Sequence, residues 1–464
     1  MPSKISYFNK GIFKNNLKRF WLITFSYTFL LFLFTAGYLS GEITRYENAD
    51  RLETMLNIGR NIFSQSSEPM LLFLGFYPLV AALAVFSYLH FTKSTAMIHS
   101  LPVRRETLFV TNYLSGLLIV SIPLLFNSAI LIITEAVMSF PDMSHAWIWL
   151  GINMALTFLL YSFAVFAGMF TGHMAAHAIF FYICNFLAIF SEVMIGYVLN
   201  HLLFGYSGNT GSASLHLGAW SPLYYLNRLY SGFAAGSGNA VVLAGYIIAG
   251  IVFLVSGYFL YRRRPMESAT DVISFKTVKP VFKYIVAFCS SLILGGIMAG
   301  ILNIRHSLAG YIVTYLIGGF IGYFASEMLL RKTFRVFSAY KGFIVFGVVL
   351  SLLLAGTSLD FFGYERYVPQ DQDVELVYVS TYDDSIARLA LRPEDYDPDQ
   401  YGYLFNSTKR YYDGSGAGSP QVLTPAQIDE LRKNAGVAES REAITSTRRI
   451  HDYIVKNEAV FKEN

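Results

Sequence analysis

Long apolar runs dominate this chain and leave few folds open to it. About nine runs approach the 20 or so residues that an α-helix needs to cross the hydrocarbon core of a bilayer. Inside lipid every backbone N–H and C=O must be satisfied within the segment, so such runs fold as helices. We therefore predict an all-α polytopic membrane protein with about nine transmembrane helices. The runs are Phe20–Leu39, Met70–His90, Tyr113–Phe140, Trp147–Phe170, Ala175–Leu199, Ala240–Tyr261, Phe282–Asn303, Leu308–Leu330 and Gly342–Leu359.

Composition excludes several other classes of protein. Of the 464 residues, 54% are hydrophobic and 14% are charged, which is too apolar for a soluble enzyme. The net charge of +4 is no sign of a nucleic-acid partner, because the Lys and Arg residues stand beside the predicted spans. Cys184 and Cys289 both lie inside apolar runs. We therefore expect neither a disulfide framework nor a thiolate metal site.

The distribution of positive charge predicts the orientation in the cell membrane. Lys and Arg are concentrated in the alternate segments 10–19, 93–105, 262–283 and 331–341. Loops rich in Lys and Arg stay in the cytoplasm, so the N-terminus is predicted to be cytoplasmic. An odd number of crossings then places residues 360–464 outside the cell.

The N-terminal segment reads as a basic amphipathic helix that lies on the membrane. Within residues 1–19, lysines and Arg19 alternate with Ile5, Phe8, Ile12 and Leu17. The next apolar run is long enough to cross and no small-residue cleavage site closes it. We expect a retained anchor rather than a removed signal peptide.

A short polar and basic interruption, residues 91–112, separates the second and third runs. Here apolar Met97, Ile98 and Leu101 are followed by a Pro, two Arg and a Glu, which fits a short amphipathic helix against the membrane or another protein. The alternative is an ordinary positively charged cytoplasmic turn.

Three stretches resemble bacterial ABC-2-type permeases, the membrane subunits of ABC exporters. They are HSLPVRRETLFVTNYLSG at His99–Gly116, SPLYYLNRLYSGF at Ser221–Phe233 and RRRPMESATD at Arg262–Asp271. The resemblance implies a six-span core at 20–275, a cytoplasmic coupling helix within 91–112 and an outer segment, 201–239, that dips into the membrane as short helices. In that family the coupling helix touches the ATPase, which implies contact residues His99, Leu101, Pro102, Arg104, Arg105 and Glu106.

The resemblance also implies partners. ATP and Mg²⁺ would be bound by a separate ATP-binding cassette subunit, and a second permease, identical or different, would complete the transporter. The sequence has no G-x-x-x-x-G-K-[ST] motif that could hold ATP phosphates, so we predict that this chain is not itself an enzyme and holds no cofactor.

The rest of the chain is predicted to add three spans, 276–359, and a small extracellular α+β domain, 360–464. The Gly296/Gly300 and Gly318/Gly322 pairs predict close helix packing. In the tail, alternation around Val374–Ser380 predicts a strand, and Thr424 begins a capped helix that ends near Gly436. A final helix from about Ser440 places Ala443, Thr447, Ile450 and Ile454 on one face. Its helical pattern continues to Asn464, so we expect a domain shorter than in related permeases.

Polar groups inside the apolar runs are candidates for the translocation path. A charge in the bilayer is costly and usually faces a cavity or a partner, although a position near the headgroups is the alternative. Glu327 can pair with Arg331 one turn later. His173 and His177 have i, i+4 spacing without an acidic neighbour, which favours a structural role over a metal site. The path candidates are Asn127, Glu135, Asn185 and Glu192.

Two further functions stay open beside that of an exporter subunit. One is a membrane sensor or assembly protein whose extracellular domain binds a peptide or a cell-wall ligand. The other is an ion-coupled secondary transporter.

Overall fold

The computed structural model describes the membrane part of the chain almost completely and the C-terminal region in short pieces. The described residues are 7–48, 69–100, 102–137, 144–203, 206, 217–234, 240–265, 273, 278–304, 307–361, 363–370, 372, 377–378, 437–438 and 441–456. The chain divides into two compact units. The first comprises Met1–Ile195, Ala213–Ile304 and Gly310–Val349, and the second comprises Gly196–Ser212, Arg305–Ala309 and Leu350–Asn464.

Eight helices of the described residues are long and apolar enough to cross a membrane. The prediction of a polytopic helical membrane protein is therefore confirmed. At the second predicted span the helix is shorter, α3 at Pro69–Val85, so eight rather than nine helices meet the length criterion. The eight are α2 Trp21–Asn48, α5 Arg105–Val137, α6 His145–Phe170, α7 Met174–Leu202, α9 Ala240–Arg263, α10 Val278–Ile301, α11 Leu308–Arg331 and α12 Tyr340–Ser358, the last preceded by a 3-10 turn at Phe337–Ala339.

Shorter helices connect the spans. The predicted N-terminal amphipathic helix is present as α1, Lys10–Arg19, with Asn9 as its N-cap. Two more follow as α4, Thr92–His99, and α8, Pro222–Ala234. Within the predicted outer segment the structure describes α8, a 3-10 turn at Leu217–Trp220 and a few residues after α7. Helix α8 buries Leu223, Leu226 and Leu229, as expected of a packed helix rather than a free loop.

The boundary between the predicted coupling helix and the third span differs from the prediction. The short helix ends at His99, and the long helix already begins at Arg105, eight residues before the predicted start of the span. Pro102 explains the break, because a residue before proline avoids the helical region and proline has no N–H to donate. Arg105 and Glu106 thus belong to the first turn of α5, where an acidic residue suits the helix dipole. The 33 residues of α5 exceed the 20 or so that a bilayer requires, so some of its turns project beyond the hydrocarbon.

The core of the first unit is built around α6. Its buried side chains include Trp149 and Tyr161, and it packs against α5, α8 and α9. The Tyr161 hydroxyl donates to the Tyr113 carbonyl over 3.1 Å, and the Tyr113 and Ser162 hydroxyls are 2.7 Å apart. A hydrophobic helix that also carries matched hydroxyl pairs packs in one register, since each polar group must meet its partner.

Helices α10 and α11 pack closely through small residues, although one predicted pair is wrong by one position. Gly318 and Gly322 face α10 as predicted, within contact of Ser290 and of backbone carbonyls. On α10 the contact runs through Gly295, whereas Gly300 has no neighbour within 4 Å. The buried small residues of α10 follow one another every four residues: Ala287, Ser291, Gly295 and Ala299. Sequence spacing alone did not distinguish these two registers, because each of them offers a small-xxx-small series.

In the second unit the structure describes two short strands and one helix of the tail. Strand β1, Val377–Tyr378, pairs antiparallel with β2, Val437–Ala438. Helix α13, Arg441–Lys456, confirms the predicted final helix. Among the described side chains of α13, Ile444 is buried, and Ile450, one of the four residues predicted to share a face, is 61% exposed. The capped helix predicted from Thr424 lies outside the described residues, and the α+β domain stays a prediction.

Candidate functional site

Helix α4 is the short helix that the sequence offered for contact with a partner. Its Thr95 is buried, and the Thr95 hydroxyl donates to the Tyr88 carbonyl over 2.6 Å, which fixes the helix on the turn that precedes it. On the other side Met97 is 69% exposed and Phe91 is 52% exposed, beside exposed Lys93. The surface of α4 therefore mixes apolar and cationic groups. The side chain of His99 and all of Leu101 lie outside the described residues.

The two Arg residues that follow α4 have different environments. Pro102 and Arg104 are exposed, as a docking surface would require. Arg105 instead donates from Nη1 to the Arg262 carbonyl over 3.3 Å, and Glu106 forms a 3.3 Å ion pair with Arg262. Arg105 and Glu106 therefore tie the start of α5 to the end of α9.

Arg264, which the sequence analysis did not single out, is the buried cation at this end of the bundle. Its side chain lies among backbone carbonyls: Nη1 donates to Gly168 O over 2.6 Å, and Nη2 donates to Thr171 O over 2.7 Å and to Leu89 O over 3.2 Å. Burial lowers the pKa of Arg264 to about 10. We call Arg264 and these three carbonyls the Arg264 node.

The Arg264 node joins three segments of the chain. Leu89 precedes α4, Gly168 is in the last turn of α6, and Thr171 opens the turn into α7. The negative end of the α6 dipole favours a cation at this position. Three consecutive arginines after an apolar run indicated only a cytoplasmic flank, and nothing in their order distinguished the buried one.

A buried histidine pair lies beside the node. His90 Nε2 and His177 Nδ1 are 3.3 Å apart, and His177 Nε2 is 2.7 Å from the Ala164 carbonyl. A carbonyl only accepts, so His177 Nε2 carries a proton and, in the neutral ring, Nδ1 accepts from His90. Burial, with His177 and Arg264 nearby, lowers the pKa of His90 to about 3, so His90 is neutral at physiological pH. Among the described residues no group of three or more His, Cys, Asp or Glu could hold a metal ion.

A chain of hydrogen bonds continues from this region to α1. The Tyr88 and Tyr261 hydroxyls are 2.9 Å apart, and Asn112 Nδ2 donates to the Tyr88 hydroxyl over 3.4 Å. Asn16 of α1 in turn donates to Asn112 Oδ1 over 2.8 Å and to Ser115 Oγ over 2.9 Å. One buried polar network thus connects α1, the turn before α4, α5 and α9.

The two candidates on α5 are buried. Asn127 Nδ2 donates to Thr35 Oγ1 over 2.8 Å. Glu135 Oε1 accepts the backbone N–H of Ala146 over 3.0 Å, in the first turn of α6. A carboxylate at a helix N-terminus is stabilised by the helix dipole and by the free N–H groups there. The geometry therefore gives Glu135 a role as a cap of α6.

The two candidates on α7, Asn185 and Glu192, are buried two turns apart on one side of the helix. Asn185 Nδ2 donates to the Phe181 carbonyl over 2.9 Å. Glu192 is 6% exposed, and within the described part of the chain neither carboxylate oxygen has a hydrogen-bond partner. Between them the Ile189 N–H donates to Ser221 Oγ over 3.2 Å, just before α8. No hydrogen bond described by the structure joins either residue to Asn127 or Glu135.

These observations outline two places with functional potential. One is the surface of α4 above the Arg264 node, where a partner could transmit force to several spans. The other is the buried carboxylate of Glu192, which could exchange a proton or a cation. No family model, no curated protein and no solved structure matches this chain.

Proposed function

We propose that this chain is the membrane-spanning permease subunit of an ABC exporter, powered by a separate subunit that binds ATP and Mg²⁺. The observation that carries the proposal is α4, a short helix between α3 and α5 with an exposed apolar and basic surface and a hydrogen-bonded inner side. An energy-coupling element needs both properties, since it must bind a partner and move the spans with it.

The network beneath α4 supports a mechanical role. A displacement of α4 acts on Tyr88 through Thr95, and on Leu89 through the chain itself. Leu89 is bonded to Arg264, which also holds the end of α6 and the turn into α7. Packed and hydrogen-bonded groups move together, so a push on α4 would displace these helices as a body. A second permease, identical or different, would supply the other half of the path.

The orientation in the membrane follows from this proposal. The ATP-binding subunit is cytoplasmic, so the ends of the helices that carry α1, α4 and the Arg264 node face the cytoplasm. The positive charges of segments 10–19, 93–105 and 262–283 support the same orientation. With the shorter α3 counted as a crossing beside the eight longer helices, the chain crosses nine times, which would place the C-terminal region outside the cell.

Introducing a charge on α4 tests the docking surface. In tagged full-length protein purified from native membranes, we expect Met97→Asp to reduce the amount of co-purified ATP-hydrolysing subunit about tenfold. The docked interface would have to bury the new carboxylate, and burying an unpaired charge is unfavourable. Phe334→Asp is the matched control, since Phe334 is a large apolar side chain that is 84% exposed in another connecting segment. Equal retention of the ATPase by both variants would remove α4 as its docking site.

Glu192 favours a second candidate, an ion-coupled secondary transporter. Buried carboxylates inside a span commonly mark ion or proton paths. Its two oxygens have no hydrogen-bond partner in the described residues, so a bound cation would satisfy them and a bound proton would neutralise their buried charge. In this alternative the energy comes from an ion gradient rather than from a partner ATPase.

The Glu192→Gln variant distinguishes the two candidates. Glutamine keeps the shape but removes the titratable charge. In vesicles that contain the purified chain, gradient-coupled proton or cation flux should fall at least tenfold in Glu192→Gln if Glu192 carries the ion. The control is Glu106→Gln, in the first turn of α5 near the Arg264 node, which should leave this flux unchanged. Unchanged flux, or no gradient-dependent flux in the native protein, would contradict ion coupling.

A further inference from the structure

Helix α1 is held on the bundle in a fixed rotation. The Asn9 side chain accepts from the N–H groups of Gly11 and Ile12, and the Asn9 N–H donates to Thr111 Oγ1 over 3.0 Å. Two turns after Asn9, Asn16 is 8% exposed and its side chain is hydrogen-bonded to α5. With polar anchors at both ends, α1 cannot roll about its axis without breaking buried hydrogen bonds. Its outer face is therefore also fixed.

That outer face is basic. Lys10, Lys14 and Lys18 are exposed and follow each other at i, i+4 and i+8, so they form one row along the helix. Arg19 adds a fourth exposed cation, and the ten residues of α1 include no Asp or Glu. Lys10 stands in the first turn, where the helix dipole disfavours a cation. Lys18 and Arg19 stand in the last turn, where the dipole favours a cation, but like charges at i, i+4 repel each other along the row, and a negative group beside the row would relieve that repulsion.

The neighbouring helices α2 and α5 indicate where α1 lies relative to the hydrocarbon core of the bilayer. A single residue, Phe20, separates α1 from α2, and α2 exposes Trp21, Leu22 and Phe25 from its first turns, at 59%, 61% and 56%. On α5, the residues bonded to α1 lie between Thr111 and Ser115, where exposed apolar side chains begin with Leu114. Large apolar side chains exposed on a spanning helix face lipid. Helix α1 therefore lies at the edge of the hydrocarbon, where headgroups are.

We propose that the basic row of α1, Lys10, Lys14 and Lys18 with Arg19, binds the phosphate groups of anionic phospholipids. A row of lysines at headgroup level places ammonium groups beside a dense layer of phosphates, and long lysine side chains reach such groups by snorkelling. Trp21 at the start of α2 is typical of this interface. An acidic protein partner would have to approach in the headgroup plane, which favours lipid as the occupant.

The same contacts indicate what lipid binding would hold in place. Asn16 connects α1 to Asn112, and Asn112 connects to Tyr88, next to the segment that carries α4. Anionic headgroups that immobilise α1 would thus stabilise the network that supports α4. The lipid site itself does not depend on the exporter proposal, because it rests on α1 and on its contacts with α2 and α5.

The test compares phosphatidylglycerol with phosphatidylcholine. Full-length protein in detergent is titrated with each lipid, and native mass spectrometry counts the lipids retained. Surface attraction amounts to roughly fivefold per cation. We therefore expect the Lys10→Gln/Lys14→Gln/Lys18→Gln variant to bind phosphatidylglycerol at least tenfold more weakly, with phosphatidylcholine retention and thermal stability unchanged. The corresponding lysine-to-arginine variant should bind normally.

The control variant is Lys332→Gln/Arg335→Gln/Lys341→Gln, which removes two exposed cations from the segment between α11 and α12 and one from the first turn of α12. It should retain phosphatidylglycerol. Equal losses in the two variants would show a general charge effect, and an unchanged α1 variant would show no site; each result overturns the proposal. So would loss of a co-purified protein from the α1 variant while its lipid count stays constant.

Discussion

Replacing Arg264 by methionine is expected to destabilise the protein by about 3 kcal/mol or more. The guanidinium satisfies the carbonyls of Gly168, Thr171 and Leu89, and methionine can satisfy none of them. Each buried acceptor left without a donor costs about 1 to 3 kcal/mol. Loss of the buried charge offsets part of this cost, because desolvating the guanidinium is itself unfavourable. Unfolding of the purified protein in detergent, followed by heat or denaturant, measures the difference.

The control is the adjacent residue. Arg263 is exposed, so Arg263→Met should change stability by less than about 0.5 kcal/mol. Arg264→Lys should recover little, because one ammonium group cannot reproduce the planar guanidinium that bridges carbonyls of three segments. If Arg264→Met and Arg263→Met reduce the stability by the same amount, the Arg264 node does not hold these segments together.

The same variant should loosen α4 without unfolding the spans. With Cys184 and Cys289 replaced by serine, a single cysteine at Met97 can carry a spin label on the exposed side of α4. We expect higher label mobility in Arg264→Met than in Arg263→Met, since Leu89 is the residue through which the node holds the chain just before α4. An identical spectrum in the two variants would show that the Arg264 node does not restrain α4.

The sequence predicted the spans well because the bilayer imposes one strong rule. Each of the six predicted runs from Trp147 onward became a long helix within a few residues of its expected bounds, since burial of apolar surface and internal backbone hydrogen bonding act together. The start of α5 was missed for a related reason. Its first turns project out of the hydrocarbon, so their polar composition concealed helical residues such as Thr107 and Asn112.

Tertiary pairing was much harder to predict than secondary structure. Glu135 was predicted as a candidate for the transport path, which stays a prediction, and its partner, the N–H of Ala146, belongs to the next helix and could not be predicted. Arg264 is indistinguishable in sequence from Arg262 and Arg263, and its carbonyl partners meet only where the end of α6, the turn into α7 and the segment before α4 pack together. By contrast, the Glu327–Arg331 pair was predicted and is confirmed at i, i+4, because helical spacing alone determines it.

Glu327 also has a partner that its own helix cannot supply. Lys283 of α10 places Nζ 3.1 Å from Glu327 Oε2 and 4.7 Å from the centre of the Tyr323 ring. The side chains of Glu327 and Lys283 are only 7% and 15% exposed, whereas that of Arg331 is 47% exposed. Glu327 is therefore the buried anion that joins a partly buried cation of α10 to α11.

Replacing Glu327 by glutamine is expected to destabilise the protein by about 2 to 4 kcal/mol, because removal of one partner leaves the other charge buried and unpaired. Arg331→Gln is the matched control: it removes the exposed partner, keeps the Lys283 pair and should cost about 1 kcal/mol or less. The double variant Glu327→Gln/Lys283→Met should be more stable than Glu327→Gln, since it removes the stranded ammonium group as well. The test compares the thermal stability of the native protein and the three variants in the same detergent. If the double variant is no more stable than Glu327→Gln, the Lys283 ammonium group is hydrated once Glu327 is removed, and the argument from an unpaired charge fails.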